Sequence, residues 1–104
     1  MVKQINNEEF DELLEGGKKV VCDFFATWCG PCKMLAPVME KVSEKYDGKA
    51  VFVKVDIDEN MELAARYGIM SIPLVAVFEG GELKDKSLGY ISQPEAEEFL
   101  EKNL

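Results

Sequence analysis

The sequence predicts an α/β fold, a central mixed sheet of four to five strands flanked by helices on both faces. Three observations carry that expectation. Val20 to Ala26 is almost wholly apolar and rich in β-branched and aromatic residues, the composition of a strand buried on both faces of a mostly parallel sheet. A helical stretch and a second apolar strand follow it, which makes a right-handed βαβ unit with parallel strands. Further on, two strand-like runs flank Gly80-Gly81, a hairpin signal, and a last helix follows them.

Taken in order, the first helix starts at Asn6, because Glu9 three residues on gives capping-box spacing. Phe10, Leu13 and Leu14 form its short apolar stripe, and Gly16-Gly17 ends it. After the strand Val20 to Ala26, a helix from about Pro31 to Tyr46 carries Leu35, Met39, Val42 and Tyr46 at helical spacing. Pro37 inside that run is expected to kink it. Val51, Phe52, Val53 and Val55 form the second buried strand. A shorter helix with Met61, Leu63, Ala64, Ala65 and Tyr67 stops at Gly68. Pro73 opens the strand Leu74 to Phe78, and the glycine pair turns it into a return strand from Leu83 to Leu88. Ser92-Gln93-Pro94-Glu95 starts the final helix with a capping serine and an early proline, and Phe99, Leu100 and Leu104 face the core. No repeat, linker or low-complexity segment interrupts the pattern, so residues 1–104 read as a single domain.

Composition narrows the chemistry. With 12 Lys plus Arg against 20 Asp plus Glu, the formal net charge is −8, which disfavours a nucleic-acid or anionic-membrane partner by repulsion. There is no 18-residue apolar stretch and no secretory pattern, so a cytoplasmic location is expected. A monomer is expected as well. The chain has no histidine, which removes Ser-His-Asp and Cys-His nucleophile pairs and imidazole metal ligands together. What remains are three cysteines, and in a reducing compartment a close pair points to catalysis or metal binding.

Cys29 and Cys32 sit where a buried strand gives way to a helix. Unpaired N–H groups and the partial positive charge of a helix N-terminus stabilise a thiolate and lower the pKa of the first cysteine. Gly30-Pro31 lets both sulfurs meet within one turn, with proline suited to the first helical turn. Cys29, at the exposed tip, is expected to be the nucleophile, and Cys32, one turn in and more shielded, the resolving thiol. A structural disulfide is the first competing reading, but closing a four-residue loop stabilises by only about 2 kcal/mol. A metal site is the second, yet zinc takes four ligands and here there are three cysteines, no histidine and no second close pair. Asp23, in the middle of an apolar strand, should have a raised pKa, and it reads either as a proton acceptor for Cys32 or as a buried polar group satisfied locally. Cys22 points to the opposite face and reads as a small buried hydrophobe. Asp56-Ile57-Asp58-Glu59 and Glu95 to Glu101 read as solvated loop and helix faces, without calcium-loop spacing.

The run Trp28-Cys29-Gly30-Pro31-Cys32 after a strand, Ser71-Ile72-Pro73 about forty residues on, the aspartate ahead of the pair and a glycine at 89 give the chain its resemblance to the thioredoxin family over essentially its whole length. That resemblance implies the thioredoxin fold and a protein-disulfide reductase acting by dithiol–disulfide exchange through Cys29 and Cys32. It favours proton transfer by Asp23, with Lys54 tuning that aspartate, although a lysine snorkelling to the surface fits Lys54 nearly as well. It implies a cis bond before Pro73, where the preceding backbone pairs with a bound peptide. Trp28, Gly30, Pro31, Ile57, Ile72, Pro73 and Gly89 would form a flat apolar patch beside Cys29 that binds substrate proteins, with Trp28 also wedged against Asp58. No bound cofactor is implied. Reducing equivalents would come from an NADPH-dependent thioredoxin reductase, and the partners would be that reductase and disulfide-containing proteins. Leu74 and Tyr90 depart from the family pattern, which often has threonine and a small residue there, so they bear on substrate preference. The competing class is a thioredoxin-like interaction subunit that uses the patch without redox turnover.

Overall fold

The computed structural model describes residues 1–104. Its elements are β1 (Lys3–Gln4), α1 (Asn7–Glu15), β2 (Val20–Phe25), α2 (Gly30–Lys45), β3 (Val51–Asp56), α3 (Met61–Arg66), β4 (Leu74–Glu79), β5 (Glu82–Leu88) and α4 (Gln93–Asn103). The five strands form one sheet in the order β1-β3-β2-β4-β5. β1 and β2 run parallel to β3, and β4 pairs antiparallel with both β2 and β5. The apolar run from Val20 is thus the central strand, and the mixed sheet has the expected parallel half and hairpin half.

Alternation along β2 divides the core between the two faces of the sheet. Val20, Cys22 and Phe24 pack with Phe10 of α1 and Leu63 of α3, together with Val53, Val55, Ala76 and Phe78. Val21 packs with Leu35, Met39 and Val42 of α2 and Ala96 and Leu100 of α4, over Phe52, Val75 and Val77. Phe10 anchors the first layer, its ring edge-on to Phe78 at 5.1 Å between centroids.

Local signals explain the helix ends. The Asn6 side chain accepts from the Glu9 N–H at 2.9 Å while the Glu9 carboxylate accepts from the Asn6 N–H at 3.2 Å, closing the capping box. Ser92 and Glu95 repeat that exchange at the start of α4. α2 begins one residue earlier than the sequence suggests, with Cys29 itself as N-cap, and it continues through Pro37. At the hairpin, Gly80 and Gly81 both take positive φ, 62° and 81°, which L-residues with a Cβ rarely adopt.

β1 has no counterpart in the sequence reading. It is an edge strand of two exposed residues, held by pairing Lys3 with Val53 and Gln4 with Lys54. Register brings Phe25, the last residue of β2, opposite Asp56, the last of β3, while Phe24 lies opposite Leu74, the first of β4. The candidate catalytic residues are gathered at that end of the sheet.

Candidate active site

Cys29 and Cys32 form a disulfide whose Cα atoms are 5.2 Å apart. Cys29 is held as N-cap by its own N–H, which donates to the Ala26 carbonyl at 3.2 Å, and its sulfur accepts from the Cys32 N–H at 3.2 Å. A helix-terminal amide therefore points at the first sulfur, as the thiolate chemistry requires. The exposed tip expected for Cys29 is not observed. Cys29 is 5% exposed and Cys32 4%, and both pack with Ala26 against the half-buried Phe25, Ile57 and Ile72. The cause is a distant segment: the Ile72 carbonyl oxygen lies 3.9 Å from the Cys29 sulfur. What separates the two cysteines is helix position, cap against first turn, rather than exposure.

Asp23 lies on the α2 face of β2 and is 3% exposed. Its Oδ1 is buried without a hydrogen-bond partner. Burial pushes its pKa up to about 7, and the charge of Lys54 pulls more weakly in the other direction. Lys54 is directly opposite Asp23 in the β2–β3 register and half buried, with its ammonium 5.5 Å from the centre of the Phe25 ring. Asp23, Phe25, Ala26, Thr27, Cys32, Lys33, Ala36 and Lys54 line one cleft of about 270 Å³. The aspartate and the second cysteine therefore share a small cavity that reaches the surface. A larger cleft of about 950 Å³, bordered by α1, Lys49 and the start of β3, contains no cysteine. Chemistry rather than size selects the smaller one.

Cys22 is buried in the opposite layer, and burial, followed by the negative charge of Asp23, pushes its thiol up. It thus remains protonated and enclosed.

Around the disulfide, Trp28 is 69% exposed and its indole N–H donates to Asp58 at 2.7 Å, the wedge expected of it. The segment after β3 is only partly the solvated loop the sequence suggests. Asp56 is buried and accepts from the Asp58 N–H at 2.9 Å, while buried Asn60 donates to the Asp56 carbonyl and accepts from the Asn7 N–H. A carboxylate at the inward end of a strand turns back to cap its own loop, which holds Asp58 beside Trp28. The Ile72–Pro73 peptide bond is cis. Gly89 donates its N–H to the Pro73 carbonyl at 2.8 Å and takes φ 92°, the conformation that favours glycine there. Of the seven expected patch residues, Trp28, Gly30 and Pro31 are exposed and Ile57, Ile72 and Gly89 half-exposed, whereas Pro73 is buried beneath them. Leu74 is buried as well, and Tyr90 is 44% exposed.

Two features escaped the sequence reading. Phe25 was only another apolar strand residue, although its spacing of two from Asp23 places both on one face. Met70, exposed just before Ile72, carried no pattern at all.

No group of three or more His, Cys, Asp or Glu is arranged to hold a metal ion, and no helix is long and apolar enough to cross a membrane. A family model described as Thioredoxin matches residues 1–102. A thioredoxin of Staphylococcus epidermidis is 48% identical over 103 residues, covering 99% of this chain and 98% of the relative. The Staphylococcus haemolyticus and Staphylococcus aureus thioredoxins are 47% and 45% identical over the same length. Among solved structures, Plasmodium falciparum thioredoxin superposes with a TM-score of 0.91 at 38% identity, covering 99% of this chain and 100% of that one.

Proposed function

The chain belongs to the thioredoxin family, and from that membership we propose the parts its residues play: Cys29 attacks, Cys32 resolves and Asp23 carries the proton. The overall reaction is reduction of protein disulfides by dithiol–disulfide exchange through Cys29 and Cys32. Nothing in the comparisons favours the alternative of an interaction subunit with idle thiols.

In the reduced protein the Cys29 thiolate, stabilised by the N-terminus of α2, attacks one sulfur of a substrate disulfide and expels the other as a thiolate. A mixed disulfide results. The Cys32 thiol then gives its proton to Asp23 and attacks the Cys29 sulfur, expelling the second substrate thiolate. The substrate gains two electrons, and the protein is left with the Cys29–Cys32 disulfide seen here. The single observation that carries this reading is the shared cleft, lined by both Cys32 and an Asp23 whose Oδ1 has no hydrogen-bond partner. A carboxyl with a pKa of about 7 can take and release a proton near neutrality without a histidine. Lys54 beside it tunes that value.

Trp28, Gly30, Pro31, Ile72, Pro73 and Gly89 form the substrate-binding surface, where an uncharged, backbone-lined patch accepts many protein sequences. Residues 1–104 act as one monomeric domain in the cytoplasm, with no resident cofactor. An NADPH-dependent thioredoxin reductase returns the disulfide to the dithiol. The test is NADPH consumption with purified protein, a bacterial thioredoxin reductase and insulin as the disulfide substrate. The wild type should support continuous turnover and Cys29→Ser none. Turnover by Cys29→Ser at the wild-type rate would sink the assignment.

A further inference from the structure

Lys54, the lysine of β3, is half buried, and its ammonium lies against the Phe25 ring. No ion pair and no side-chain hydrogen bond of the molecule uses it, while the Phe25 ring lies 5.5 Å from its nitrogen. A lysine with four rotatable carbons and no partner would spread its charge through the solvent. Here it is directed along the cleft wall instead. The reason is in the strand register: Phe25 is two residues from Asp23, so both project from the same face of β2, and Lys54 is directly across from Asp23. Ring, ammonium and carboxyl therefore border one cleft.

We propose that Phe25 is a positioning residue for the proton transfer, its ring holding the Lys54 ammonium by a cation–π contact so that the positive charge faces Asp23. The proposal rests on the reading of Asp23 as the proton carrier tuned by Lys54. Other groups around Asp23 do not supply that charge equally. Lys33 of α2 lies on the exposed rim of the cleft, Cys32 of α2 is locked in the disulfide, and Val75, opposite Asp23 on β4, is apolar. Cys22 points into the other layer.

The experiment follows the Asp23 carboxyl carbon by NMR titration of the oxidised protein, in which neither active-site cysteine can titrate. Wild type, Phe25→Leu, Phe25→Tyr, Lys54→Met and the Phe25→Leu/Lys54→Met double variant are compared. A positive charge nearby favours the carboxylate, so losing it must move the titration upward in pH. Lys54→Met should move it up, and Phe25→Leu should move it up by a measurable but smaller amount, because the lysine keeps its charge and loses only its placement toward the carboxyl. Phe25→Tyr, which keeps a ring, should titrate with the wild type, and the double variant should match Lys54→Met alone. If Phe25→Leu titrates with the wild type while Lys54→Met moves, the ring does not hold the lysine, although Lys54 still tunes Asp23. If the double variant exceeds Lys54→Met by the full Phe25→Leu shift, the ring acts through packing and the proposal also fails. If Lys54→Met moves nothing, the tuning role of Lys54 falls together with the proposal.

Discussion

At Asp23, what suits the reaction opposes the fold. The carboxyl is enclosed by the strand and α2, with one oxygen unpartnered, and its pKa rises from 3.8 to about 7. Because the folded value lies above the unfolded one, the folded state holds more protons between those limits. Stability from this group is therefore complete below pH 4 and is lost as pH climbs through 7. Asp23→Asn removes the charge but keeps the shape, so it should stabilise the oxidised protein by about 2–4 kcal/mol at pH 8 and by much less at pH 4. Urea denaturation at the two pH values checks this, and an equal gain at both would assign the effect to packing. Under the proposed role of Asp23 as proton acceptor for Cys32, the same variant should also slow resolution of the mixed disulfide. Asp23 was legible in the sequence as a charge inside an apolar strand, and the cysteine pair as a motif. The burial of Cys29 was not, because it depends on Ile72, a residue 43 positions away whose approach no local pattern encodes.

Helix α1 shows what an element owes to packing rather than propensity. It has nine residues, too short to persist alone in water, and its one fully buried side chain is Phe10. That ring meets Phe24, Tyr67 and Phe78, so it ties α1 to β2, β4 and the end of α3. Phe10→Ala should lower stability by about 3–5 kcal/mol, read as a lower urea midpoint with an unchanged slope. A loss below about 1 kcal/mol would mean that the layer collapses around the gap or that the ring is not its anchor. Elements with a period or a cap were readable before folding: the capping boxes at Asn6 and Ser92, the buried run of β2 and the glycine turn before β5. β1 was not, since two exposed residues have no period and acquire strand character only by pairing with β3. Nor was the bracket of Asp56 and Asn60, whose acidic composition resembles an ordinary surface loop until the backbone brings its polar groups inward.

For the molecule as a whole, the sheet order places the ends of β2 and β3 beside the start of β4, so a cap, a buried carboxyl and a proline segment from distant parts of the chain converge. The chain carries a net charge of −8, yet Trp28, Gly30, Pro31, Ile57 and Ile72 beside the disulfide are uncharged, which suits contact with polypeptides of varied sequence. The mechanism proposed for exchange with such partners places the covalent bond on Cys29 rather than Cys32. The most direct measurement is therefore intact-mass analysis, under non-reducing conditions, of Cys32→Ser and Cys29→Ser after mixing each with a disulfide-bonded protein such as insulin. The expected result is a stable adduct on Cys29 of the Cys32→Ser protein, released by dithiothreitol, and none on Cys29→Ser. Adducts on Cys32 of the Cys29→Ser protein, with none on Cys32→Ser, would contradict it.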